Sequence, residues 1–200
     1  MPQLALFDAG DSVLADDARG RIAYTPGFVD ARVAQAWFAE LRGAVAWKAE
    51  RRQMYDREVD VPRLTAHFRL DEEGLLPALA QAAERVIAGT KIAFNSVGLN
   101  FYRHGRDSVA PHNDHLDVLV PGFPIALLTL GSARRMTIRA KKPPQRVLHI
   151  DLELASVLMM SYETQLHYTH GIPKTKDPVG ERISLAFRVK PQAEGLDPYR

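Results

Sequence analysis

The 200-residue chain is predicted to be an α+β protein, a β-sandwich or jelly roll backed by helices. Three observations point there. Apolar residues recur at helical spacing only in the first half of the chain. From Ser96 onward, eight short β-rich runs alternate with turn residues. No internal repeat or low-complexity segment breaks this order, so a single domain over 1–200 is expected.

Residues 1–20 are expected to form a loosely held arm. Ile22-Ala23-Tyr24 reads as a short strand before a Pro26-Gly27 turn. Asp30 is a candidate N-cap for a helix running to about Gly43, with Val33, Ala36, Trp37 and Leu41 on one face. Residues 48–63 are basic and polar. A second helix is predicted over 75–88, with Leu76, Leu79, Ala83 and Ile87 inward and Gly89 as its stop. Residues 21–95 thus read as an N-terminal extension, 96–190 as the β core and 191–200 as a tail. Core strands are expected at 97–102, 111–118, 125–130, 136–139, 146–151, 157–161, 167–170 and 183–189. An antiparallel sandwich can hold a site between its layers.

The composition, 46% hydrophobic and 25% charged, is that of an ordinary globule. A net charge of +2 does not demand nucleic acid. The absence of cysteine excludes disulfides, thiolate metal sites and Cys nucleophiles, so a metal would have to use His, Asp or Glu. No apolar run reaches the ~20 residues of a membrane span. Asp8 falls where a signal peptide would continue its apolar stretch. A cytoplasmic monomer with no membrane partner is expected.

The chemistry concentrates in the second half. His112 and Asp114 lie two apart in Pro111-His112-Asn113-Asp114. In a strand, residues i and i+2 share a face, so both could grip one ion while Asn113 points away. His170 is a candidate third ligand from another strand. Two His and one carboxylate fill one face of Fe(II) and leave the other open. A second pair, His115 and Asp117, overlaps the first, and spacing alone does not choose between them. Arg182 and Arg188 follow as candidate anion binders.

These residues belong to a longer run of matching segments. They are Pro62-Arg63-Leu64-Thr65-Ala66, Asn100-Phe101-Tyr102, Pro111-His112-Asn113-Asp114 and Pro121-Gly122-Phe123-Pro124-Ile125-Ala126. Leu130-Gly131-Ser132-Ala133-Arg134, Ser156-Val157-Leu158-Met159-Met160, His170-Gly171-Ile172-Pro173 and Arg182 to Arg188 complete the order. In order and spacing, residues 59–190 resemble the AlkB family of Fe(II)- and 2-oxoglutarate-dependent dioxygenases, and its nucleic-acid demethylase branch in particular. The resemblance implies a double-stranded β-helix (jelly-roll) core with the N-terminal helices packed on one sheet. It selects His112, Asp114 and His170 as metal ligands over His115, Asp117 and His167. His167 is expected to be a structural or pocket-wall residue. Arg182 is implied to pair with the distal carboxylate of 2-oxoglutarate, a bidentate match of fork to carboxylate. Asn100 and Tyr102 would add neutral hydrogen bonds, and Arg188 would lie near the inner carboxylate. Ser184 stands where the family usually has Asn, and its shorter side chain implies a co-substrate contact there that is lost or water-mediated.

The implied activity is oxidative demethylation of N-alkylated bases in DNA or RNA, using Fe(II), 2-oxoglutarate and O2. Its products would be succinate, CO2 and formaldehyde. A base inside a duplex would have to be flipped out or offered single-stranded. Candidate substrate contacts are Arg63, His67, Phe68, Arg134 and Asp117. Further basic candidates for phosphate are Arg51, Arg52, Arg57, Arg135, Arg139, Lys141 and Lys142. Two departures bear on the substrate. The segment from His67 to Gly74 runs almost directly into the second helix, so much of the family's aromatic lid is missing. His115 and Leu116 stand where the demethylases carry acidic residues. Two other readings follow: the same chemistry on a protein or small molecule, and a non-catalytic nucleic-acid binding module.

Overall fold

Period-2 alternation in the second half builds two antiparallel sheets, as one strand shows. Arg182-Ile183-Ser184-Leu185-Ala186-Phe187-Arg188 sends Ile183, Leu185 and Phe187 to one face and Arg182, Ser184, Ala186 and Arg188 to the other. The computed structural model describes residues 12–54 and 57–191, without the side chains of 50–60. In order, its strands and helices are β1 (Ser12–Asp17), β2 (Gly20–Thr25), α1 (Ala31–Ala44), β3 (Lys48–Met54), β4 (Arg57–Arg69), α2 (Pro77–Thr90), β5 (Ser96–Tyr102), β6 (Val109–His112), β7 (Ile125–Gly131), β8 (Arg134–Ala140), β9 (Val147–Leu152), β10 (Val157–Met160), α3 (Tyr162–His167), β11 (Tyr168–Ile172) and β12 (Arg182–Arg188). A 3-10 turn, Leu116–Val118, follows β6.

The major sheet runs β1-β2-β10-β7-β12-β5-β4-β3, and the minor sheet runs β6-β11-β8-β9. Between them lies one core, including Ile22, Tyr102, Leu127, Leu158, Ile138, Leu152 and Tyr168. On the opposite face of the major sheet, Leu99, Leu128, Leu130, Leu185 and Phe187 pack against α1 and α2. The fold is thus the jelly roll with N-terminal helices on one sheet that the sequence predicted.

Four local expectations need correction. Residues 12–17 are a strand rather than part of a loose arm, because β1 pairs with β2 and β2 pairs with β10. The remainder of that arm, 1–11, and most of the tail, 192–200, lie outside the described residues. The polar stretch 48–63 contributes the antiparallel pair β3 and β4 at the sheet edge, where among the described residues β3 has no outer neighbour and an apolar face is not required. In α1 the inward residues are Ala34, Trp37 and Leu41, and Val33 is exposed. Finally, α2 runs through Gly89 to Thr90 and ends at Lys91, which takes the left-handed conformation. Asp30 caps α1 as expected, accepting from the amides of Arg32 and Val33.

Candidate metal and co-substrate site

Three elements converge on the site from the inner faces of the two sheets. In the minor sheet, β6 and β11 pair antiparallel with His112 opposite His170. Their rings lie 4.5 Å apart between centroids. A register shift between His170 and Ile172 marks a bulge, a device that re-aims side chains. The i, i+2 strand reasoning for Asp114 does not hold: β6 ends at His112, and Asp114 sits in the loop beyond it. The carboxylate nevertheless reaches the imidazoles. One donor atom each from His112, Asp114 and His170 lies within 4.8 Å of the others.

The electrostatics suit a cation. His170 is buried, and desolvation, followed by its neighbour His112, pushes its pKa down to about 3, leaving a neutral imidazole. Burial is also the main cause of a lowered His112 pKa. The Nδ1 of His112 faces the Ala110 carbonyl at 3.0 Å. A carbonyl only accepts, so Nδ1 carries the proton and Nε2 presents its lone pair inward. Burial would raise the Asp114 pKa, but the charge and hydrogen bond of Arg188 outweigh it and hold the carboxyl below its usual range. Arg188 Nε donates to Asp114 Oδ2 at 2.5 Å. Two neutral nitrogens and one ionised oxygen, preassembled and mostly buried, fit a divalent iron.

Beside them the inner face of the major sheet carries an anion site. The register pairs Arg182 with Tyr102 and Ser184 with Asn100 across β12 and β5, and Ser184 with Thr129 across β12 and β7. Arg182 is 1% exposed. One of its amino groups donates to Thr129 Oγ1 at 3.2 Å. Its Nε and other amino nitrogen have no partner among the described residues. Its guanidinium lies 5.3 Å from the Tyr102 ring centroid. Burial pushes the Arg182 pKa down to about 10, with Arg134 adding to the fall and Tyr102 opposing it. A buried cation with N–H groups unmet is a receptor for a carboxylate, so the residues present fit 2-oxoglutarate. The Asn100 side-chain oxygen accepts from Arg63 Nε at 2.6 Å, which leaves the Asn100 amide nitrogen as the donor for a ligand.

The candidate substrate residues separate. Phe68 packs against the helix-side core, so it faces away from the metal and cannot stack on a base there; alternation along β4 decides this. His67 takes the other face, where it and Arg188 flank Gly98. Arg134 is buried, and its amino groups donate to the carbonyls of His104, Asp107 and Pro173. That geometry ties two loops to β8 and places its charge out of reach of a phosphate. Asp117 is exposed on the 3-10 turn. Arg135 is ion-paired with Asp151, and Lys141 donates to the Gln165 carbonyl. Arg139 and Lys142 are exposed, while the side chains of Arg51, Arg52 and Arg57 lie outside the described residues. His167 ends α3, and its carbonyl accepts from the Lys141 amide.

Two contributors escaped the sequence reading, Thr129 and Gln165. Thr129 had a visible signal, a single polar residue inside the apolar run of β7. Gln165 had none, since its partner is 51 residues away.

A preassembled pair of imidazoles and a carboxylate, next to a buried guanidinium with donors to spare, defines an iron oxygenase with an acidic co-substrate. The chain belongs to the 2OG-Fe(II) oxygenase superfamily, whose family model matches residues 21–188. Within it the chain is an AlkB homologue. It is 32% identical over 195 residues to the alpha-ketoglutarate-dependent dioxygenase alkB homolog 3 of Mus musculus, covering 88% of this chain and 68% of that protein. It is 35% identical over 120 residues to the DNA oxidative demethylase ALKBH2 of Homo sapiens, covering 56% of this chain and 46% of that one. Among solved structures it is similar in fold to OsALKBH1, with a TM-score of 0.60 at 12% identity, covering 87% of this chain and 99% of that one. A Pseudomonas putida prolyl-4-hydroxylase superposes with a TM-score of 0.57 at 15% identity, covering 85% and 93%. Fe(II) and 2-oxoglutarate are accordingly its cofactors. No helix among the described residues is long and apolar enough to cross a membrane.

Proposed function

We propose that this protein oxidatively demethylates N-alkylated bases in DNA or RNA, releasing formaldehyde, succinate and CO2. The observation that carries the oxygenase part is the buried, half-satisfied Arg182 beside the His112, Asp114 and His170 cluster. His112, Asp114 and His170 would hold Fe(II). Arg182, with Thr129 behind it, would take the distal carboxylate of 2-oxoglutarate. Asn100, Tyr102 and Ser184 would line its flank, and Arg188 would orient both Asp114 and the inner carboxylate. When bound, iron and 2-oxoglutarate supply O2-dependent oxidation of a C–H bond. The chain's own residues bind and orient the two cofactors, keep both imidazoles neutral and exclude water.

Support for a nucleic-acid substrate comes from the names of the relatives, which include a DNA oxidative demethylase. His67 is the remaining aromatic candidate on the site side of β4. With Phe68 turned to the helices, the lid differs from the demethylase pattern, which favours keeping a protein or small-molecule substrate as the second reading. The test measures formaldehyde from N-methylated oligonucleotides alongside succinate. Formaldehyde in step with succinate is expected. Succinate formation without any base demethylation would leave the oxygenase and remove the nucleic-acid substrate.

A further inference from the structure

Asp114 poses a problem that the metal cluster alone does not solve. It lies in a loop past the end of β6, so no strand ladder fixes its main chain. A carboxylate in a loop can rotate away from an ion, and burial makes an unmet amide costly. Two unrelated elements hold it. From the major sheet, Arg188 Nε donates to Asp114 Oδ2. From α3, Gln165 Oε1 accepts from the Asp114 main-chain amide at 3.0 Å. With Oδ2 taken by Arg188, Oδ1 is left toward His112 Nε2, 4.0 Å away.

Gln165 is itself held at its side-chain amide nitrogen and its main-chain carbonyl. It is 1% exposed. Its Nε2 donates to Thr164 Oγ1 at 3.0 Å, and that hydroxyl donates to the Ser161 carbonyl at 2.6 Å. The hydroxyl's proton is thus spent on a carbonyl, so it must accept from Gln165. This assigns the amide orientation, with Oε1 toward Asp114. Lys141 Nζ donates to the Gln165 main-chain carbonyl at 2.8 Å. Ser161 in turn exchanges two bonds with Arg21 of β2, its amide donating at 2.9 Å and its hydroxyl accepting at 3.1 Å. At Gly20, a Cβ would come within 2.8 Å of Thr164 and 2.7 Å of Ser161 Oγ, so only glycine lets β2 approach α3 this closely.

We propose that Gln165 is a positioning residue for the metal centre, fixing the backbone of Asp114 so that its free carboxylate oxygen points at the ion, and that Ser161 and Thr164 brace it against the β1–β2 hairpin. The proposal rests on the metal reading above. It also assigns a purpose to α3, a six-residue helix inserted between β10 and β11. The side chain acts through a main-chain amide, so it is invisible to any search for ligand residues.

The test titrates apo protein with Co(II), followed by visible absorption, for wild type, His112→Ala, Gln165→Leu and Thr164→Val. Wild type should bind one equivalent, and His112→Ala should abolish it. Gln165→Leu should weaken Co(II) about tenfold per folded molecule, as loss of an outer-shell partner does. Thr164→Val leaves Gln165 in place and frees its amide, so a smaller loss in the same direction is expected. The Asp114 amide resonance should move upfield in both variants. If the Leu variant does not fold, the Val variant and its Asp114 amide resonance carry the test. Unchanged Co(II) affinity in folded variants, whatever their melting temperatures, would overturn the proposal while leaving the metal site standing. Failure of wild type to bind Co(II) would overturn both.

Discussion

At the level of single residues, the site is costly to the apo fold, and Arg182 shows why. Its guanidinium is desolvated, and two of its nitrogens have no partner among the described residues. Burial pushes its pKa well below the ordinary arginine value, to about 10. From about pH 10 up to the ordinary arginine value the unfolded chain holds a proton that the folded chain has released, so stability rises with pH across that window. Below it the charge destabilises the fold, by on the order of 3 kcal/mol at neutral pH. A carboxylate seated on the free donors offsets that cost, which is how binding energy is directed to the co-substrate. Arg182→Met should therefore move two readouts in opposite directions. Thermal melts of the apo protein should rise by several degrees, since a chain of this size gains about 2–4 °C per kcal/mol. Calorimetric titration should show 2-oxoglutarate affinity falling by about a hundredfold or more. A variant that lost both stability and affinity would make Arg182 a structural cation.

At the level of elements, the metal cluster depends on how closely two short strands approach. Gly171 follows His170 on β11, and a Cβ there would meet the Val109 carbonyl at 2.8 Å and the Pro111 nitrogen at 3.0 Å on β6. Those contacts are backbone and cannot swing aside. Gly171→Ala should push His112 from His170, costing about 1–3 kcal/mol of stability by overpacking. Co(II) affinity should fall with it, by about tenfold or more. Gly43 in α1 is the control. Nothing lies within 4 Å of its Cβ position, so Gly43→Ala should stabilise by about 0.5–1 kcal/mol and leave the metal alone. The same contrast explains what could be read from the sequence. β12 was legible because its alternation assigns every residue to a face, and α1 because Asp30 caps it. The polar stretch that became the β3–β4 pair was not, since an edge strand needs no apolar face. Asp114 was singled out by the family resemblance and not by local spacing: the i, i+2 rule requires a strand, and β6 ends two residues before it. What delivers its carboxylate is Arg188 and Gln165, 74 and 51 residues away, and no local pattern encodes contacts of that kind.

At the level of the whole molecule, three layers divide the labour. The helices cover one face of the major sheet, and the site opens on the other, between the two sheets. Every strand of the major sheet that carries a site residue also carries an apolar residue aimed at the helices. In β12, Leu185 stands between Ser184 and Ala186, and Phe187 stands beside Arg188. The helical layer therefore stabilises the sheet without touching the chemistry. Leu79 of α2, fully buried in that layer, separates the two roles. Truncation to alanine should cost about 2–5 kcal/mol, through lost burial and the cavity left behind. For a domain of this size, each kcal/mol lowers the melting temperature by about 2–4 °C. Well below that temperature the sheet remains folded, and the register that sets Arg182 against Tyr102 and His112 against His170 is unchanged. Leu79→Ala should thus melt early while binding Co(II) and 2-oxoglutarate with wild-type affinity. A parallel collapse of both affinities in the folded variant would show that the helices set the curvature of the sheet, and that the site is a property of all three layers together.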